Sequence, residues 1–363
     1  MAQHQLHLGI ALDGYGWHPR AWQQTLATDP AAGSVTSGRY WAQLAGTAER
    51  GLLDFLTIDD SFTAQAGRRD EINPRRLAGR ADAVLVAARI APVTQHIGLI
   101  PVATVTHTEP FHISKAIATL DFVSKGRAGW QARVSPTAHE AAAFGRRSVP
   151  GGGELFDEAT EFVDVVRRLW DSWEDDAVIR DVATGRYVDR DKLHYIDFAG
   201  NYFSVKGPSI TPRPPQGQPV VAALAHVPRV YEFADTAADL VFITPADEPA
   251  VTDVLGQLHG AVTPIADLVV DFGGDGDFRS DAPIFTGGPA QLVELMLGWA
   301  DLGLSGFRLR PAVNARDLPT IVDEVVPLLQ RAKRFRTEYR ARETLRERFG
   351  LPTAVNRYAA GVS

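Results

Sequence analysis

The 363-residue chain contains no cysteine. That excludes a disulfide framework, a thiolate nucleophile and a cysteine-built metal site. Positive charge is not in excess: 37 Lys and Arg stand against 44 Asp and Glu, a net charge of −7. The basic stripe of a nucleic-acid binder is missing. No stretch approaches the roughly 18 apolar residues of a membrane span. The opening MAQHQLHLGIAL has no basic flank, long apolar run or cleavage site, so no secretory signal is expected and the cytoplasm is the expected location. HExxH, P-loop and GxSxG signatures are also missing. Metalloprotease, nucleotide-hydrolase and α/β-hydrolase readings therefore lack a starting point, and no metal site is expected.

What is present is alternation. Short apolar runs expected as strands lie at Leu6–Leu12, Leu53–Ile58, Ile97–Ala103, Ala128–Val134, Pro219–Leu224, Leu240–Ile243, Ala266–Asp271 and Gly306–Arg310. Helical patterns separate them, among them Arg39–Arg50, Asn73–Ala91, Pro110–Ser124, Glu154–Trp173, Val227–Ala237 and Pro289–Leu302. About eight strand–helix units predict a parallel sheet closed into a (β/α)8 barrel, with residues 1–363 as one domain. A polar, aromatic stretch at about 175–207 reads as a β-rich insertion, and a charged segment from Arg331 reads as a helical tail packed outside the barrel or on a partner.

The segment Ile117–Ser135, IATLDFVSKGRAGWQARVS, is the most informative. It reads as helix, glycine turn at Gly126, and buried strand. Asp121 and Arg127 are read as clasping that turn. RYWAQLAGTAERGLLDFLTIDDSF, HIGLIPVATVTHTEPFHISKAIATLDFVSKGRAGW, HYIDFAGNYFSVKGP and VPLLQRAKRFRTEY follow in order along the chain. Together they resemble the luciferase-like flavin monooxygenases, in the branch of the nitrilotriacetate and dibenzothiophene-sulfone enzymes. The resemblance implies a TIM-type barrel and reduced FMN supplied by a separate NAD(P)H:flavin reductase. It also implies dioxygen, a small organic substrate and a homodimer. Two alternatives remain open: a deazaflavin-dependent oxidoreductase on the same barrel, and a cofactor-free barrel acting as a binding or partner subunit.

Site residues are placed by strand ends, where such barrels carry their chemistry. Asp60 closes the second strand and matches an acidic residue near the flavin, a helix cap or a pair with Arg68 or Arg69 being the structural alternative. Thr104 matches a hydroxyl beside the flavin ring. His107 stands where the family often has Tyr and is a candidate proton donor. Gln131 replaces a family Asn facing the flavin, keeping both amide functions with longer reach. Ser135 follows on the same strand. After the fifth strand the family carries a small-residue turn for the flavin phosphate. Here it reads ALAHVPRVYEF, with Ala225, Val227 and Val230 where Gly, Ser and Gly are common. Amides at Ala225 and His226 are the expected phosphate donors, with charge from His226 and Arg229; His226 is also a candidate proton carrier. Phe156 replaces a family Tyr. His18 and Trp22 are read as substrate-pocket residues, or with Trp17 as a packed loop cover. No charge cluster in the sequence marks a polycarboxylate substrate.

Overall fold

A computed structural model of the protein describes residues 5–63, 73–274 and 276–359. Eight strands form the frame: β1 His7–Leu12, β2 Phe55–Ile58, β3 Gly98–Thr104, β4 Gly129–Arg133, β5 Val220–Ala225, β6 Leu240–Ile243, β7 Thr263–Val270 and β8 Gly306–Pro311. Each pairs in parallel with the next, and β8 pairs back to β1 with His7 opposite Gly306. The sheet is a closed barrel with helices around it, as expected from the alternation. Its strands are buried on both faces, which is why they read as nearly continuous apolar runs.

Several element ends moved. The helix expected from Asn73 runs only from Ala83 to Ile90, because the Asp82 carboxylate caps it by accepting from the Leu85 N–H at 2.8 Å. The Asn73 side chain instead accepts locally from the Arg75 N–H. β7 starts at Thr263, three residues before the expected Ala266. The helix Pro110–Ser124 turns left-handed already at Lys125, with φ +59°, and Gly126 follows with φ +84°. Glycine is required at 126 for a second reason: a Cβ there would lie 2.9 Å from Thr344 of the tail. Asp121 accepts from the Ala128 N–H, and Arg127 donates to the carbonyls of Ala91, Thr94 and Ile97, so the two clasp this turn. The 175–207 stretch holds two small antiparallel pairings, Val178–Asp181 with Arg186–Val188 and Phe198–Ala199 with Ser204–Val205.

The tail beyond Arg331 runs mostly as turns, with one short helix, Leu345–Arg348. It closes the N-terminal end of the barrel. Leu345 and Phe349 pack with Phe55, Ile100, Val220, Leu240 and Ile265. Each such side chain contributes roughly 1.5–3 kcal/mol by leaving water. Gly9 makes room for this cluster, since a Cβ there would lie 2.2 Å from the Phe55 ring. Beside it the buried Asp54 carboxylate accepts from the Leu8 N–H at 2.8 Å, and pairs with His7 and with Arg336 of the tail. The charged tail residues therefore serve the barrel itself. The tail thus covers the N-terminal end of the strands.

Candidate active site

At the C-terminal end of the strands lies a cavity of about 320 Å³. Gln131 from β4, Arg308 and Arg310 from β8, and Thr57 from β2 face into it. Strand alternation puts them there: along β8, Phe307 and Leu309 join the outer core while Arg308 and Arg310 point inward. Trp17, Asp59, Val102, Arg133, Phe156, Val230, Phe233, His226 and Asp281 also line it. Beneath the cavity sits Asp267 on β7, fully buried. It accepts from Arg308 at 2.9 and 2.5 Å and from Arg310. Arg308 also donates to Gln131 Oε1 at 2.7 Å, and its guanidinium lies 3.8 Å over the Phe242 ring. Arg310 donates to Asp281 at 2.5 Å and lies 4.4 Å over Trp17. Burial pushes the Asp267 carboxyl upward, but the two guanidiniums outweigh it and hold it below the usual carboxylate range.

A second, more open cleft of about 810 Å³ adjoins the first at Val102. Asp60, Thr104 and His107 line it together with Phe62, Phe111 and Phe144. His107 is the most unusual residue there. Its backbone is left-handed, with φ +69°, and its ring stacks on Phe144. The residue is buried, and neither ring nitrogen has a partner among the described residues. Burial, then the nearby Arg147, lowers its pKa and favours the neutral ring. A strained backbone with an unsatisfied imidazole is costly to keep, and such features concentrate at functional sites.

The other expected site residues separate into two groups. Thr104, His107, Gln131, His226 and Asp60 border the two clefts. The Asp60 carboxylate accepts from the N–H groups of Ala83 and Ser61, so it also anchors a helix start; Arg68 and Arg69 lie outside the described residues. Ser135, Arg229, His18 and Trp22 are engaged elsewhere. The Ser135 hydroxyl donates to buried Glu140 at 2.6 Å. Arg229 is exposed and pairs with Asp157 and Glu232, and the three line a separate groove on the outer side of the helices Gly152–Asp171 and Pro228–Ala237. His18 Nδ1 accepts from the Arg20 N–H, and Trp22 donates to the Arg75 carbonyl. Neither lines the mouth cavity, whereas Trp17 does. Ala225 is a buried strand end. Val227 is extended, with φ −145°, so the turn into the helix Pro228–Ala237 needs no glycine there.

Sequence reasoning missed Asp267, Asp281, Arg308 and Arg310. For three of them the signal was legible: GFRLRP and IADLVV place charges at inward positions of strands expected to be buried on both faces, whereas Asp281 lies outside any strand.

The lining suits an FMN. Trp17, Phe156, Val230 and Phe233 supply apolar walls, Gln131 an amide, His226 an imidazole, and Arg133 and Arg310 positive charge. The Arg229 N–H, in the first turn of its helix, has no carbonyl partner within that helix.

A closed parallel barrel with polar side chains gathered at the C-terminal end of its strands defines a barrel enzyme with its chemistry at that mouth. The particular family follows from sequence: the chain belongs to the luciferase-like monooxygenases, whose family model matches residues 21–261. It is 32% identical to N-acetyl-S-(2-succino)cysteine monooxygenase of Bacillus subtilis over 98% of each chain. That alignment spans 443 positions against 363 residues here, so at least 80 positions have no counterpart in this chain. It is 37% identical to nitrilotriacetate monooxygenase component A of Aminobacter aminovorans, over 71% of this chain and 58% of that one. In fold it is similar to a long-chain alkane monooxygenase, at TM-score 0.82 and 23% identity over 96% of both chains. An F420-dependent secondary alcohol dehydrogenase, covering 88% of this chain and 98% of its own, is more distant at TM-score 0.61 and 13% identity.

Proposed function

We propose that the protein is the oxygenase component of a two-component system, using reduced FMN and dioxygen to oxygenate a small organic substrate. A separate NAD(P)H:flavin reductase supplies the reduced cofactor in this reading. The observation that carries it is His107: a buried, unpartnered imidazole on a left-handed backbone, one turn beyond β3 and beside Thr104 at an open cleft. Membership of a monooxygenase family supports the same reaction type.

The cofactor supplies the oxygen-activating chemistry when bound, and the protein supplies placement, proton handling and exclusion of water. Gln131 and Thr104 hold and orient it, Gln131 being fixed in turn by Arg308. His226 and the first-turn amide of Pro228–Ala237 serve its phosphate. The neutral His107 ring holds or moves a proton at Nδ1 or Nε2, since no fixed partner competes for either among the described residues. Trp17, Phe156 and Phe233 shield the cavity from water. A homodimer belongs to the same reading, supported by the exposed apolar side chains of Leu85, Phe122 and Val123 on two neighbouring outer helices.

Anaerobic titration with reduced FMN, followed by tryptophan fluorescence and compared with oxidised FMN and with F420, tests this. Saturable binding that favours reduced FMN is the expected result. Binding of F420 alone, or of no flavin, would discard the oxygenase reading in favour of the deazaflavin or cofactor-free alternative.

A further inference from the structure

We propose that Glu158 is a positioning residue for His107: its carboxylate takes the ring N–H on the outer side, so that the other ring nitrogen faces the cleft as a proton acceptor. This role gives a direction to the proton handling proposed above and rests on that reading.

The helix Gly152–Asp171 buries Leu155, Ala159, Phe162, Val166 and Leu169 at helical spacing. Glu158 lies on the same buried side, and the residue is only 3% exposed. A carboxylate on the apolar face of a helix is costly unless its oxygens are used. Here one oxygen is used and one is not. Oε1 accepts from Arg147 at 2.5 Å, whereas Oε2 has no partner among the described residues.

His107 has the complementary gap, since both its ring nitrogens are buried and unpartnered among the described residues. The residue is a wall between two spaces. On one side lies the cleft of about 810 Å³, and on the other a polar cavity of about 210 Å³. Glu109, Arg146, Arg147, Glu158 and Tyr202 also line that cavity. His107 and Glu158 thus border one small polar space, with three unpartnered polar atoms between them. No direct hydrogen bond joins the two side chains, and a cavity of this size and polarity admits a bridging water.

The other carboxylates near the ring are occupied. Glu140 accepts from the Phe62 N–H and from the hydroxyls of Ser135 and Thr137. Glu109 is exposed and lies 3.8 Å from Arg146. On the cleft side Asp60 and Asp82 accept backbone N–H groups, and Lys206 and His112 are the basic residues there. Burial and Arg147 keep the His107 ring neutral, while Glu158 and Glu140 pull the other way.

A neutral imidazole carries one N–H, and the hydrogen bond made by one nitrogen sets the role of the other. An ionised carboxylate only accepts, so it fixes the N–H on the outer nitrogen. The inner nitrogen keeps its lone pair. When a molecule in the cleft gives up a proton, its N–H, O–H or C–H bond breaks and leaves the electron pair on that molecule. A new N–H bond forms on the ring, and the resulting imidazolium is stabilised by Glu158. Without Glu158 the two tautomers compete, and the ring is as ready to donate as to accept.

NMR of the flavin-free, full-length protein with isotopically labelled histidine tests this. The His107 signals are identified by their loss in His107→Gln. In wild type, well above the titration midpoint, one tautomer should dominate. Glu158→Gln keeps the size of the side chain, but its amide donates as well as accepts. That variant should show both tautomers, and its His107 should titrate at lower pH than in wild type. Glu158→Asp keeps an acceptor-only group and should hold the wild-type tautomer. An unchanged tautomer ratio in folded Glu158→Gln overturns the proposal, whatever the midpoint does, and leaves Glu158 as the ion-pair partner of Arg147 alone. If Glu158→Gln does not fold, wild type and Glu158→Asp decide: two tautomers in comparable amounts in wild type, or a switch of tautomer in Glu158→Asp, overturn it equally. Neither flavin nor substrate is present in these samples. Failure to bind FMN therefore breaks the functional reading alone, and an indifferent tautomer breaks this one alone.

Discussion

The two ends of the barrel use the same chemistry to opposite effect. Each holds a fully buried aspartate among arginines: Asp54 with Arg336 at the lower end, Asp267 with Arg308 and Arg310 at the mouth. Around Asp54 the carboxylate is closed off by the Leu8 amide and His7, and the tail covers the whole with Leu345 and Phe349. Around Asp267 the network continues outward, through Arg310, to a half-exposed Asp281 and an open cavity. A buried ion pair is therefore not by itself a sign of function. What separates the two is whether the chain of partners ends in protein or at a space that a ligand can enter.

The largest effect should come from breaking the closed end. Asp54→Ala leaves Arg336 and the Leu8 N–H buried without their acceptor, and should cost about 3–5 kcal/mol in urea denaturation. Flavin affinity of the folded protein should not change. The sign with pH follows from the carboxyl. Burial pushes Asp54 upward, but His7, Arg336 and Arg348 hold it below its ordinary value of 3.8. Its contribution is complete above that pH and is lost as pH falls further, so the variant and wild type should converge in acid. If they do not, Asp54 is not the keystone of that end.

A smaller effect, confined to ligands, is expected at the mouth. Thr104→Ala with Gln131→Ala should weaken FMN binding on the order of tenfold, while the urea midpoint moves less than in Asp54→Ala. An unchanged dissociation constant would mean that the cofactor sits elsewhere.

His107 sharpens the contrast through pH. Its folded-state pKa lies below the ordinary 6.5, from burial and then Arg147. Stability linked to the neutral ring is complete above pH 6.5 and declines as pH falls through the lowered value. His107→Gln should flatten that part of the profile in denaturant midpoints measured from pH 5 to 8. A slope that persists would assign it to another group.

The smallest effect is expected at Arg229. Its ion pairs with Asp157 and Glu232 are exposed, so Arg229→Ala should cost less than about 1 kcal/mol and leave FMN affinity unchanged. A marked loss of FMN binding would show that the side chain turns inward to the phosphate.

The alternation of apolar runs and helical patterns was enough to name a closed parallel barrel, because strands buried on both faces leave that mark in any sequence. The segment Ile117–Ser135 and its ordered companions were enough to name the family. Strand-end position pointed to Thr104, His107 and Gln131, since inward and outward facing follow from a period of two. Other features depended on contacts across long sequence separations. The tail's charges read as packing outside the barrel or on a partner until Arg336 met Asp54 and Arg348 met the Asp54 carbonyl, nearly three hundred residues away. Arg229 follows His226 by only three positions, yet the helix turns it to the outer groove while His226 faces Asp281. The sequence also did not show that Asp267, Asp281, Arg308 and Arg310 form one network, because they are scattered over more than forty positions. Local pattern determined which residues form strands and which way their side chains point. Closing the barrel decided which charges share a low-dielectric space, and that is a property of neighbours in three dimensions.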